Sequence, residues 1–239
     1  MDEQDKGLGF RPRAVEDYFD PDLNPYMKSH LEFGPEVISA EDGPTFKGRW
    51  HEAFPARPGP RPELHLEIGP GNGFHLSGMA ALHPERNWLG IEIRFKRVVL
   101  TARKLRSAGC ENARVLRYDA HHLDDLFAEG EIDGLYVHHP DPWKREKRAK
   151  HRLLLRPFAE WIGRALRPGG TMRIKSDFHS NLDDFEGLIE ELPLRVVRRV
   201  DDLRAQGLPW PEEDDVTTNY QSKFDKRGLP VAAMLLVRD

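Results

Sequence analysis

From residue 63 onward, short apolar runs alternate with segments of helical spacing, a pattern that the first quarter of the chain lacks. Leu64-His65-Leu66-Glu67-Ile68 reads as a strand that stops at Gly69, and Trp88 to Ile93 reads as a second. Between them, Phe74 to Leu82 has the spacing of a helix. Val98, Val99, Ala102 and Leu105 recur at helical intervals ahead of Gly109, which suits a C-terminal cap. Arg114 to Tyr118 and Ile132 to His138 supply strands three and four. A helix is expected from about Ala149 to Leu166, closed by Arg167-Pro168-Gly169-Gly170, with a fifth strand from Thr171 to Lys175.

Strands that alternate with helices imply a parallel sheet with right-handed crossovers. After a helix at about 180–191 the alternation breaks. Leu194 to Val200 and Val231 to Val237 read as two late strands, separated by roughly 30 polar residues without a clear helix, which suits an antiparallel edge pair. The expected fold is therefore α/β and Rossmann-like, a mostly parallel seven-stranded sheet with an antiparallel edge pair and helices on both faces.

Residues 1–62 differ in texture. They are rich in Pro, Gly and charge, and Pro55 to Pro62 cannot form a helix or a central strand because proline lacks the donor. They are read as an N-terminal extension and Pro-rich linker, partly disordered in isolation, ahead of one domain at 63–239.

Composition narrows the setting. The single cysteine, Cys110, excludes an intrachain disulfide and fits a reducing, cytoplasmic location. No run of 18 apolar residues exists, so no ordinary membrane span is expected, and the polar N-terminus does not read as a signal peptide. Lys and Arg number 36 against 40 Asp and Glu, a net charge of −4, so any attraction to nucleic acid must be local.

Candidate chemistry begins where the first strand ends. Gly69, Gly71 and Gly73 allow a tight turn and close approach of a ligand to the backbone. A dinucleotide fingerprint would need glycine at position 74, where Phe74 stands, and this disfavours a nicotinamide dehydrogenase. The spacing is that of S-adenosylmethionine sites. Three acids extend it: Glu67 beside the turn, Glu92 at the end of strand two, and Asp119 just past strand three. All three fall at carboxyl ends of strands, where open α/β sheets bind ligands. Glu67 suits the methionine portion, Glu92 the ribose hydroxyls and Asp119 the adenine amine. One such acid is ordinarily a solvated loop residue; three with the glycine turn point to a nucleoside cofactor.

His138-His139-Pro140-Asp141-Pro142-Trp143 follows strand four. The two prolines hold Asp141 at the strand mouth, and Trp143 offers a stacking face. Neighbouring strand residues point to opposite faces, so His138 and His139 cannot chelate one ion together, and no metal is expected. Six of the ten residues from Trp143 to Arg152 are Lys or Arg. A charge run is usually a solvated face, but at the lip of a site six repelling cations favour phosphate.

The motifs L-E-I-G-P-G-N-G, G-I-E-I, Y-D-A, P-D-P-W-K-R-E-K-R-A-K-H-R, K-S-D-F and T-N-Y-Q-S-K-F-D-K-R-G occur in that order. The chain thereby resembles the bacterial tRNA (guanine-N7)-methyltransferase family, class I S-adenosylmethionine-dependent enzymes, over about residues 50–237. The resemblance implies methylation of a guanine in the variable loop of tRNA. It puts Glu67, Glu92, Asp119 and Asp141 at the cofactor and makes Asp141 the candidate catalytic residue. It implies substrate contacts from Arg145, Asp177, Thr218, Asn219, Tyr220 and Gln221, and tRNA contacts from Lys147, Arg148, Lys150 and Arg152. The family usually has Lys at 145, His at 148, Trp at 178 and Glu at 221, where this chain has Arg145, Arg148, Phe178 and Gln221. Two rivals remain at this stage. One is a class I methyltransferase acting on another RNA, a protein or a small molecule, of which the last two need no basic stretch. The other is a noncatalytic RNA-binding module, which needs no aligned acids.

Overall fold

The computed structural model describes residues 24–143 and 150–239. Eight strands form one sheet: β1 (Val37–Ile38), β2 (Leu64–Ile68), β3 (Asn87–Glu92), β4 (Ala113–Arg117), β5 (Ile132–His138), β6 (Leu166–Ser176), β7 (Leu194–Val200) and β8 (Ala232–Arg238). The helices are α1 (Pro25–Ser29), α2 (Phe74–Leu82), α3 (Phe95–Ser107), α4 (Arg156–Ala165), α5 (His179–Ile189), α6 (Leu203–Gln206) and α7 (Asn219–Arg227). Strand order is β1-β4-β3-β2-β5-β6-β8-β7. All neighbours are parallel except β8, which runs antiparallel to both β6 and β7.

The chain moves outward from β2 to β3 and β4, then returns to place β5 on the other side of β2. That reversal opens a crevice at the carboxyl ends of β2 and β5, where open α/β sheets bind ligands. Alternation along the strands divides the core between the two faces. Leu66, Leu135, Val137 and Met172 pack with Phe158, Ile162 and Phe185 of α4 and α5, while Trp88 and Tyr136 pack with Leu76 and Met79 of α2.

The sheet has eight strands rather than the expected seven. The added one, β1, pairs with β4. The segment behind it packs into the main core: Trp50 is wholly buried and its indole N–H donates to the Leu126 carbonyl at 2.8 Å. The Glu131 carboxylate accepts the backbone N–H groups of Gly48 and Trp50. A few large aromatic residues thus hold a stretch whose average composition reads as an arm.

Two helices also depart from expectation. Helix α4 starts at Arg156 rather than near Ala149, with Pro157 in its first turn, where a missing donor costs nothing. Between the late strands, where no clear helix was expected, α7 is capped by Thr218, whose side chain accepts the Gln221 N–H, and ends at Gly228 in the left-handed region.

Candidate active site

The turn after β2 is built by Gly69, Gly71 and Gly73, with φ of 70°, 60° and 73°. At Gly73, the N-cap of α2, a Cβ would also lie 2.9 Å from the Thr101 Cα. Conformation and space both demand glycine there.

A cavity of about 730 Å³ opens beside this turn, lined among others by Gly69, Glu92, Asp119, Asp141, Trp143 and Lys150. Glu92, the last residue of β3, is 8% exposed and accepts the Arg94 N–H at 2.9 Å. Burial raises its pKa, and the backbone hydrogen bonds only partly oppose that. Asp119 accepts both the backbone N–H and the imidazole of His121, at 3.0 and 2.9 Å. Burial alone would raise the Asp119 carboxyl; the His121 contacts outweigh it and lower the pKa.

A second cavity of about 310 Å³ adjoins the first, lined by Glu67, Gly71, His75, Thr218, Asn219 and Tyr220 among others. Asp141, His138 and His139 line both. Asp141 therefore stands at the junction, exposed on its loop. The loop is strained at both ends, because His139 and Trp143 take φ of 49° and 37°. Non-glycine residues in this region cost about 1–3 kcal/mol each and cluster at functional sites.

The two histidines diverge, as strand alternation requires. His138 turns toward Glu67 and His75, with its Nδ1 3.7 Å from Glu67 Oε1, while His75 Nδ1 lies 3.2 Å from Glu67 Oε2. Burial works against the Glu67 charge, but the two imidazoles more than compensate and hold its pKa at about 2. Burial, with His75 beside it, depresses His138 to about 3. His139 turns the other way, its Nδ1 3.3 Å from Asp177 Oδ1 and its ring 4.6 Å from that of Tyr220. Burial and the nearby Asp177 raise the Tyr220 pKa. Asp177 meets the site through His139 and Tyr220 rather than as a cavity wall.

Two residues assigned from sequence do other work. Gln221 is buried and does not reach the cavity; its Oε1 accepts a hydrogen bond from Lys175 Nζ at 2.9 Å. Arg152 braces the loop instead of facing solvent, donating to the Pro142 carbonyl at 3.0 Å and pairing with Asp184 at 3.5 Å. Thr218 lines the smaller cavity but commits its hydroxyl oxygen to capping α7. Arg145, Lys147 and Arg148 lie outside the described residues.

The sequence reading missed His75, Lys175 and Asp215. Lys175 is fully buried, with its ammonium 2.7 Å from Asp215 Oδ2, and so ties the segment before α7 to β6. Nothing in the local pattern marks these residues, since each acquires its partner only through the fold. The capping pattern Thr218-x-x-Gln221 is the one legible signal for this region.

Known proteins match at both levels. A family model described as a putative methyltransferase matches residues 61–234. The tRNA (guanine-N(7)-)-methyltransferase of Bdellovibrio bacteriovorus is 30% identical over 192 residues, 79% of this chain and 88% of that protein. The enzyme of the same name from Bacillus licheniformis is 31% identical, over 87% of this chain and 93% of its own length. Among solved structures, the 16S rRNA methyltransferase KamB superposes with a TM-score of 0.54 at 16% identity, covering 74% of this chain and 88% of that one. TrmN from Thermus thermophilus gives 0.53 at 19% identity, over 82% of this chain and 49% of its own. These two likenesses concern the fold alone.

Proposed function

The chain belongs to the bacterial tRNA (guanine-N7)-methyltransferase family, and from that premise we propose that it methylates N7 of a guanine in tRNA with S-adenosylmethionine as donor. The observation that carries the site assignment is Asp141, on the wall common to the two cavities. The larger cavity suits the nucleoside of the cofactor, with Glu92 for the ribose hydroxyls and Asp119 for the adenine amine. Glu67, in the smaller one, suits the methionine portion. The place of Glu92 supports this fit, because a buried carboxylate at the end of β3 that also lines the larger cavity is positioned to accept from ribose hydroxyls.

S-adenosylmethionine, when bound, supplies a methyl carbon on a sulfonium. Guanine N7 carries an in-plane lone pair and no proton, so no residue must act as a base. The chain contributes alignment and charge. Asp141 faces the positive charge that develops on guanine, and Trp143 provides a ring beside it. Tyr220 and Asn219 close the substrate side, while Asp177 orients His139 and Tyr220. The target base leaves its stack to reach this depth.

The deciding experiment incubates the protein with labelled S-adenosylmethionine and unmodified tRNA and maps the product nucleoside. N7-methylguanosine in the variable loop is expected; label elsewhere, or none, overturns the reading. A cytoplasmic location belongs to the same proposal. Among the described residues no helix is long and apolar enough to cross a membrane.

Two further results are expected. Replacing Glu92 or Asp119 by Ala weakens S-adenosylhomocysteine binding in calorimetry by about 1–3 kcal/mol, the cost of losing a hydrogen-bonding carboxylate. Unchanged affinity in both variants rejects the cofactor assignment. Changing Lys147, Arg148 and Lys150 together to Ala lowers the slope of log K for tRNA against log salt, by somewhat under ~1 for each phosphate no longer neutralised. A parent-like slope makes the stretch a solvated face.

A further inference from the structure

Behind the glycine turn, the fold gathers a cluster that methyl transfer to N7 does not use. Glu67 comes from β2, His75 from the first turn of α2 and His138 from the end of β5. The three side chains are 3%, 2% and 4% exposed. None of the imidazole nitrogens of His75 and His138, and not Glu67 Oε2, has a well-formed hydrogen bond. Buried polar atoms are ordinarily satisfied, so unsatisfied atoms on three side chains that converge on one point indicate a missing common partner.

The spacing identifies that partner. One donor atom from each residue lies within 4.8 Å of the others, and this is the one such histidine–carboxylate group of three or more among the described residues. Zinc bonds of about 2.1 Å to nitrogen and oxygen, at tetrahedral angles, place adjacent donors about 3.4 Å apart. His75 Nδ1 lies 3.2 Å from Glu67 Oε2 and His138 Nδ1 lies 3.7 Å from Glu67 Oε1, so each imidazole meets its own oxygen of the carboxylate at close to that spacing. The imidazole rings stand edge to face, with centroids 4.3 Å apart and planes at 87°, so they do not stack against each other. A single small cation between them satisfies the carboxylate and one nitrogen of each ring, which no single proton can do.

We propose that Glu67, His75 and His138 form a binding site for a divalent transition metal of the zinc type, reached through the smaller cavity. Two imidazoles and a carboxylate are a borderline donor set that favours such ions over magnesium or calcium. Three protein ligands leave a fourth position for solvent. The sequence expectation of no metal concerned His138 with His139, which do diverge; the partner of His138 is His75, brought to it by the packing of α2 beside β5. The site shares Glu67 with the cofactor assignment but does not depend on it, and its test uses metal without cofactor or tRNA.

The full-length protein, stripped with chelator and dialysed, is titrated with zinc chloride in calorimetry and with cobalt(II) in visible absorbance. One equivalent of zinc is expected to bind with a Kd on the order of micromolar or tighter. The cobalt form is expected to show the intense visible bands of a four-coordinate site. His138→Asn and His75→Phe, each checked for folding by circular dichroism, should weaken zinc binding by about tenfold or more. His83→Asn, which removes the histidine paired with Asp214, should bind as the parent does. The proposal is overturned if the parent binds no zinc at micromolar concentrations. It is equally overturned if a folded His138 or His75 variant keeps the parent's affinity, or if His83→Asn is the variant that loses it.

Discussion

Asp141→Asn is expected to lower single-turnover methyl transfer by a factor of ~100 or more while leaving the fold and tRNA binding unchanged. Asp141 is exposed in the protein alone, so the exchange leaves core packing intact. Asn keeps the size and the turn-forming capacity of Asp and loses only the charge. The charge stands where both cavities meet, on a loop whose ends are held in the left-handed region. That loop is anchored by the His139 N–H, which donates to the Lys175 carbonyl at 2.7 Å, and by the Arg152 contact to Pro142. A carboxylate fixed in this way needs no reorganisation as positive charge grows on the base, and this is the origin of the expected factor. The competing account makes Asp141 a turn former between two prolines. Parent-like turnover in Asp141→Asn under single-turnover conditions would establish that account and remove the catalytic role.

Much of the strand framework that surrounds this site is legible in the sequence, for a physical reason. Parallel strands buried on both faces must be continuous apolar runs, and the glycines that follow them punctuate the pattern. Ile132–His138 is therefore readable to the residue, and Glu67, Glu92 and Asp119 can be placed at strand ends; Leu194–Val200, an edge strand, is readable from its β-branched residues instead. The start of α4 was not readable, because a Lys- and Arg-rich stretch keeps helical propensity and Pro157 stops it only at the far end. Helix α7 was hidden by its polarity, since Gln221 is its one buried residue and no apolar period announces it. His75 and His138 lie 63 positions apart in the chain and meet only because β5 returns beside β2. Lys175 reads as a polar strand residue facing water. Its burial follows from a segment 40 residues later that covers it with Asp215.

That covering contact yields the largest stability effect expected here. Lys175 is fully buried and both oxygens of Asp215 lie within 2.9 Å of its ammonium. Gln221 and Trp210 complete the cluster, the first accepting from Lys175 and the second donating its indole N–H to Asp215 at 3.1 Å. Asp215→Ala leaves a buried ammonium facing one amide oxygen, and the loss expected in urea unfolding at neutral pH is about 3–5 kcal/mol. The pH dependence separates this cause from a simple loss of packing. Burial already lowers the Lys175 pKa against the opposing pull of Asp215, and without Asp215 the depression deepens. The unfolded chain then holds a proton that the folded variant releases, so folding stability rises with pH between the lowered value and the ordinary lysine value of about 10.4. The deficit of Asp215→Ala should therefore shrink as pH rises through the alkaline range. Lys175→Met with Asp215→Leu, which removes both charges, should recover most of the loss and show no such slope. The segment carrying these contacts leads into Thr218, Asn219 and Tyr220, so the single variant should also raise the KM for tRNA more than it lowers kcat. A deficit under ~1 kcal/mol, or one that does not change with pH, would mean that the pair does not hold the tail in place.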